Sequence, residues 1–155
     1  MSRIIFITIL IFAFCPAFLA RENQPFTGDV FPPFDSFGKI SMGDRKGRFD
    51  NFFVALRNDP EGKGVVIFRL DKKESKAKKR KRLVEISRHF NYRRIDKSRV
   101  KFIVYEDEEE FTELWVIPKK INWDDLLEIL NIKNYKLIKG ENFAPKKIDE
   151  LFAKK

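Results

Sequence analysis

Apolar residues recur along the chain at two spacings, one typical of helices and one typical of strands. The spacing i, i+3, i+4, i+7 places side chains on one helical face, and it is followed by Phe49, Phe52, Phe53 and Leu56. A second helix is predicted over residues 75–92, where one face carries Leu83, Ile86 and Phe90. Ser41, with an acid three residues later, predicts the start of the first helix. Asn58-Asp59-Pro60 predicts its end.

Four segments have the pattern of strands. They cover residues 34–40, 65–68, 99–105 and 111–117. The second is a continuous apolar run, which is typical of a strand buried on both faces. The acidic residues 106–110 are predicted as a solvated turn, so the last two strands are expected to form an antiparallel hairpin.

The order of these elements predicts the fold class. Strands that alternate with helices favour a sheet with parallel neighbours and helices packed on it. The expected architecture is α+β, a mixed β-sheet with two helices in the order βαβαββ. Residues 119–155 are predicted as a helical C-terminal appendage on the same core, with apolar stripe Trp123–Leu130 and a short helix over 145–152. Residues 135–139 fit either a short strand or a loop.

The N-terminus has the pattern of a secretory signal peptide. Arg3 precedes residues 4–14, in which only Thr8 is polar, and small residues then lead to a polar stretch. The apolar run is short for a bilayer span, which needs about 20 residues. Residues 1–20 are therefore predicted to be a signal peptide.

Cleavage is expected near Ala20, with cleavage after Ala17 and an uncleaved anchor as alternatives. Residues 21–33 contain three prolines and no apolar period, which predicts an extended arm. The protein is expected to be exported, periplasmic or secreted, with no transmembrane span after signal removal. The sequence predicts no oligomeric state.

Composition argues against the commonest enzyme sites. The 155-residue chain is 43% hydrophobic, which fits one packed domain. Its single Cys allows no internal disulfide, and its single His, His89, allows no multi-His metal site. His89 has no recognisable partner motif, so a partly covered structural histidine is expected. No metal, cofactor or enzymatic activity is predicted, and an enzyme of unfamiliar type is the third alternative.

A basic run over residues 72–82 is the most unusual local chemistry, in a chain of net charge +9. It predicts a patch for anionic polymers, formed by Lys72, Lys73, Lys76, Lys78, Lys79, Arg80 and Lys81. Because the bases surround the helix axis, the first turns of the helix are expected to project beyond the core. The alternative is a solvated surface that only aids solubility. Nucleic acid is not expected, since no aromatic residue in the run could stack on bases.

Several short matches over residues 34–118 follow the order of one family. They are Phe34-Asp35-Ser36-Phe37, Phe49-Asp50-Asn51-Phe52, Val65-Val66-Ile67 followed by Asp71, and Ile95-Asp96-Lys97-Ser98-Arg99-Val100. In this order they resemble the OmpA-like domain, a periplasmic module of bacterial proteins associated with the outer membrane. Residues 113–118 are similar to the last strand of shorter, uncharacterised exported bacterial proteins of the same layout.

The resemblance implies a role in binding peptidoglycan. Members of the family use an Asp and an Arg to hold the zwitterionic end of diaminopimelate, and Asp71 and Arg82 fall at those positions. An Arg forks onto a carboxylate and an Asp accepts from an ammonium. The expected function is an exported cell-envelope binding or structural protein, associated with peptidoglycan. The alternative is a secreted basic module that binds another anionic envelope polymer through residues 72–82.

Overall fold

The computed structural model describes residues 32–121 and 133–153. The predicted signal peptide over 1–20, almost all of the predicted arm and the stripe Trp123–Leu130 lie outside the described residues. None of the helices within the described residues combines the length and the apolar character needed to cross a bilayer.

The described residues form an α+β fold with a mixed five-stranded sheet and three α-helices. In chain order the elements are β1 Asp35–Phe37, α1 Met42–Asn58, β2 Lys63–Asp71, α2 Lys76–Tyr92, β3 Val100–Asp107, β4 Phe111–Ile117, β5 Lys136–Lys139 and α3 Pro145–Phe152. Short 3-10 turns precede β3 at Lys97–Arg99 and follow β5 at Gly140–Asn142. The predicted α+β class and both long helices are confirmed.

The sheet order is β1-β4-β2-β3-β5, with β2 and β3 parallel and the other pairs antiparallel. The predicted hairpin between β3 and β4 is wrong, because β4 pairs with β1 and β2 instead. At the centre of the sheet, Val66 of β2 lies opposite Phe102 on one side and Leu114 on the other. The apolar β2 thus takes the central position of the sheet. The connection from β3 to β4 crosses the end of β2, where the Lys72 amide donates to the Asp107 carbonyl at 2.9 Å.

Side-chain hydrogen bonds fix the ends of both long helices. Ser41 Oγ accepts from the Asp44 amide at 3.1 Å, as its spacing predicts. Ser75 likewise caps α2 through the amide of Lys78. Beyond the C-terminus of α1, the guanidinium of Arg99 donates to the backbone carbonyls of Leu56, Asp59 and Gly62. These carbonyls lie beyond the reach of the intrahelical ladder, so Arg99 ties the end of α1 to the start of β3.

The helices cover one face of the sheet with a core rich in phenylalanine. The predicted stripes are confirmed, since Phe49, Phe52 and Leu83 are fully buried there. The chain after β5 belongs to the same core, because Phe143 stacks on Phe102 with ring centroids 3.7 Å apart, and Ile148 is fully buried. Residues 133–153 therefore complete the sheet and its core rather than being added to them.

The opposite face of the sheet is also buried. It carries a smaller apolar cluster formed by Val65, Ile67, Ile103, Trp115 and Ile117. Arg69 forms an ion pair with Glu113 at one end of this face, and the Trp115 indole donates to Glu113 at 3.2 Å. With both sheet faces covered, the groups that remain accessible to a ligand lie mainly on the helices and loops.

Replacing Phe52 by Ala is expected to lower the free energy of unfolding by about 3–5 kcal/mol, since the ring is fully buried and its loss leaves a cavity. Val54 lies on the same helix but is 44% exposed, so Val54→Ala is the matched control. It should change stability by about 0.5 kcal/mol or less. Urea unfolding measures both values, and equal losses would contradict the assigned core face of α1.

Candidate functional site

The acidic residues 106–110, which end β3 and lead to β4, contact the basic helix α2 and the turn before it. We call these residues the acidic connection. Glu106 binds the Lys79 ammonium at 2.7 Å, and Glu108 binds Lys72 at 3.0 Å. Glu110 forms an ion pair with Arg82, and its side chain is only 5% exposed. The prediction of a solvated turn is therefore wrong for Glu110. The basic run and the acidic residues 106–110 are far apart in the sequence, but they form ion pairs with one another at one end of the sheet.

Glu110 belongs to a buried charge network of four residues, Arg45, Glu74, Arg82 and Glu110. Arg45 of α1 is 2% exposed and donates to Glu110 at 2.5 Å and to Thr112 Oγ1 at 3.3 Å. Arg82 of α2 contacts Glu74 and Glu110 together. Burial lowers the pKa of the Arg45 guanidinium from its ordinary value, and the carboxylate of Glu110 opposes that shift. The network joins α1, α2 and the β3–β4 connection.

The structure does not bring the two predicted ligand residues together. Arg82 is 12% exposed, and its terminal nitrogens are held by Glu74 and Glu110. Asp71 ends β2, where its Oδ1 accepts from the amide of Lys73 at 2.7 Å. Within the described residues, no hydrogen bond or ion pair joins Asp71 to Arg82. Arg82 is thus a partly buried, doubly paired arginine, and Asp71 organises the turn that leads to α2.

The predicted basic patch divides into paired and unpaired cations. Lys72 and Lys79 bind the acidic connection, and Arg80 forms a bidentate pair with Asp149 of α3 at 2.5 and 3.0 Å. Lys79 is 2% exposed, so the expectation that the first turns of α2 project beyond the core is wrong. Its stem lies on the core face and its ammonium meets Glu106. The exposed members with no ion pair to a described residue are Lys73, Lys76, Lys78 and Lys81.

Two cavities form one groove between α1 and α2, and they share Met42 and Glu85. The smaller cavity, of 220 Å³, has the buried charge network at its base and Lys39, Lys78 and Lys81 at its edge. The larger, of 660 Å³, is lined by Met42, Lys46, Glu85, Arg88, His89 and Tyr92. We call the two together the α1–α2 groove. Both cavities are open to solvent.

The α1–α2 groove carries an excess of positive charge. Seven Lys and Arg residues and three Glu residues line it, which leaves four positive charges in excess with His89 neutral. Arg45 and Arg82 are neutralised by Glu74 and Glu110. The cations that form no ion pair with any described residue are Lys39, Lys46, Lys78, Lys81 and Arg88. Such a groove raises the local concentration of anions.

His89 is held by a carboxylate of the facing helix. Its Nε2 lies 2.8 Å from Asp50 Oδ1, and Arg93 forms an ion pair with the same carboxylate. The side chain is 10% exposed and its ring lies 6.1 Å from that of Phe53. The prediction that His89 is partly covered is confirmed. Asp50 joins the C-terminal end of α2 to α1.

Comparison with protein-family models, with curated proteins and with solved structures found no match to this chain. In the part of the chain that the structure describes, no group of three or more His, Cys, Asp or Glu residues is placed to hold a metal ion. The charges and shape of the α1–α2 groove are therefore the basis for assigning a function.

Sequence reasoning singled out Arg82 and the lysines but missed Arg45, Glu110 and the α1 side of the groove. Arg45 stands four residues before Phe49, so helical spacing places it on the apolar stripe of α1. A base on such a stripe is a signal of a buried, paired arginine. No local signal exists for Glu110, because its partners are 28 and 65 residues away in sequence.

Replacing Glu110 by Gln is expected to destabilise the protein by about 3–5 kcal/mol, because Arg45 would keep its buried charge without the carboxylate that neutralises it. Glu109 is its neighbour and is exposed, so Glu109→Gln is the matched control and should be nearly neutral. Thermal and urea unfolding compare the two variants. Equal stability would show that the network is not buried in solution.

Proposed function

We propose that this protein is an exported, non-enzymatic binding protein of the cell envelope that holds an anionic polymer in the α1–α2 groove. The observation that carries the proposal is the distribution of its cations. Four bases of the run 72–82 form ion pairs with acidic residues of the same chain. They are Lys72, Lys79, Arg80 and Arg82. Five other cations of the described chain meet in one groove with no ion pair to a described residue.

An anionic polymer fits this arrangement better than a small anion. Exposed lysines gain little from any single ion pair in water. A chain of negative charges that contacts several of them releases condensed counterions, and this release gives binding that falls steeply with salt. Lys78 and Lys81 of α2 stand at the edge of the smaller cavity, and Lys46 and Arg88 line the larger one. A polymer that follows the groove would contact both sets.

The envelope location rests on the sequence pattern of residues 1–20, which is typical of a secretory signal. After that segment the chain contains no cysteine, and its stability comes from its core rather than from disulfide bridges. Exported proteins meet acidic glycans in the cell envelope. These are polymers to which a cationic groove is complementary.

Peptidoglycan binding of the OmpA-like kind is the second candidate. The described chain follows the order βαβαββ through Ile117, and Arg82 lies at the base of the smaller cavity. Both features support this candidate. In this second candidate, the carboxylate of a zwitterionic end group would replace Glu74 or Glu110 as a partner of Arg82. Asp71 would bind the ammonium at the other end of that group. The geometry favours the first candidate, because Arg82 is already paired and Asp71 does not line the cavity.

Replacing Lys46, Lys78, Lys81 and Arg88 together by Gln is expected to weaken the binding of polygalacturonate and of polyphosphate by about tenfold or more at low salt. The slope of log affinity against log salt should also flatten, because fewer counterions are displaced. Isothermal titration calorimetry over a range of salt concentrations measures both quantities. We call this variant the groove variant.

The control removes the same charge from elsewhere on the protein. Arg57, Lys133, Lys139 and Lys146 are exposed, line neither cavity and form no ion pair with a described residue. If their replacement by Gln weakens binding as much as the groove variant does, net charge alone drives the interaction and the groove assignment fails. Binding to peptidoglycan sacculi distinguishes the second candidate from the first. If the second candidate holds, Asp71→Asn should lose this binding and the groove variant should keep it. Free diaminopimelate should then compete with the sacculi.

A further inference from the structure

We propose that the end of the α1–α2 groove at Tyr92 is a saccharide subsite, so that the polymer is an acidic polysaccharide rather than a polyphosphate. This inference rests on the proposed function and names the ligand class of the same groove. One side chain at this end of the groove belongs to no ion pair. Tyr92, the last residue of α2, is 77% exposed and lines the 660 Å³ cavity.

The exposed Tyr92 ring contacts the side chain of the next residue, Arg93. The Arg93 guanidinium carbon lies 5.7 Å from the Tyr92 ring centroid, which is within the range of a cation–π contact. Arg93 is itself bound by Asp50 of α1. A chain of contacts therefore runs from α1 through Asp50 and Arg93 to the ring. An aromatic side chain that is oriented in advance loses less entropy when it binds a ligand.

The residues beside Tyr92 form a polar stripe that faces the groove. Glu85, Arg88, His89 and Tyr92 are spaced i, i+3, i+4 and i+7 along α2, and all four line the same cavity. Seven residues of helix rise by about 10 Å, a length that more than one sugar unit can occupy. The cavity volume of 660 Å³ lies inside the range of about 300–1,000 Å³ typical of ligand sites.

The chemistry of this stripe matches a sugar that bears a carboxylate. The face of an aromatic ring is electron-rich, so it attracts the C–H groups on the flat side of a pyranose. The Arg88 guanidinium is planar and forks onto a carboxylate. The Glu85 carboxylate accepts hydrogen bonds from hydroxyl groups, which a uronic acid has and a polyphosphate lacks. Lys46, on the facing helix, supplies further positive charge.

A polyphosphate would use the cations of the groove but neither Tyr92 nor Glu85. It has no C–H face to lie on the ring, and it has no hydroxyl groups along its chain to donate to the Glu85 carboxylate. An acidic polysaccharide would therefore contact both Tyr92 and the cations of the groove, whereas a polyphosphate would contact the cations alone. Substitution of Tyr92 should weaken binding of the polysaccharide only.

The test measures binding of the purified protein to oligogalacturonate and to polyphosphate of equal charge by calorimetry at one salt concentration. Tyr92→Leu, which removes the ring, is expected to weaken oligogalacturonate binding by about five- to tenfold and to leave polyphosphate binding unchanged. Tyr92→Phe keeps the ring and should bind like the unaltered protein. Tyr135 is 36% exposed and lines neither groove cavity, so Tyr135→Leu is the matched control and should change neither affinity.

The outcomes separate this inference from the proposed function. If Tyr92→Leu binds oligogalacturonate as tightly as the unaltered protein, while the groove variant loses both ligands, the saccharide subsite is refuted and the proposed function stands. If Tyr92→Leu weakens both ligands equally, the ring does not select sugar and the subsite is again refuted. If the unaltered protein binds neither ligand more tightly than the groove variant does, the proposed function and the subsite are refuted together.

Discussion

Every charge that this fold buries has to meet an opposite charge, and that requirement determines how the two long helices are joined. Removing an ionised side chain from water costs several kcal/mol unless a partner compensates it. Arg45, 2% exposed on α1, is neutralised by Glu110, which also binds Arg82 of α2. Glu74 completes the set as a second partner of Arg82. Glu110, in the β3–β4 connection, thereby joins α1 to α2. The space between the two helices is the α1–α2 groove.

The same pairing decides which cations are left for a ligand. The basic run looks in the sequence like one continuous patch, but Lys79 and Arg82 are used to hold α2 in place. The unpaired cations of the groove come from both helices and from Lys39, which precedes α1, and Lys46 of α1 lies outside the run altogether. The proposed binding surface therefore runs along the groove and has a chemically distinct end at Tyr92. That combination favours an extended anionic ligand with a flat apolar side.

Local patterns predicted what is decided locally. The apolar stripes predicted both long helices, Ser41 predicted the start of α1, and residues 145–152 were predicted as the helix that the structure shows as α3. The failures concern contacts between distant segments. Nothing local places β4 beside β2 rather than β3, since strand order depends on which apolar strand takes the centre. The burial of Glu110 likewise depends on Arg45, 65 residues away. The shape of the groove depends on such contacts between distant segments. The sequence alone therefore predicted the lysines of the groove from α2 but not the groove itself.

The proposed function requires that the unpaired cations of the α1–α2 groove, and not the basic run as a whole, bind an anionic polymer. Backbone amide NMR shifts followed during titration with oligogalacturonate at low salt test this residue by residue. The largest changes are expected on residues 46, 78–81 and 85–92, with little change at Asp71–Lys73 or along β5. Changes centred on Asp71–Lys73, or spread evenly over all exposed lysines, would contradict it.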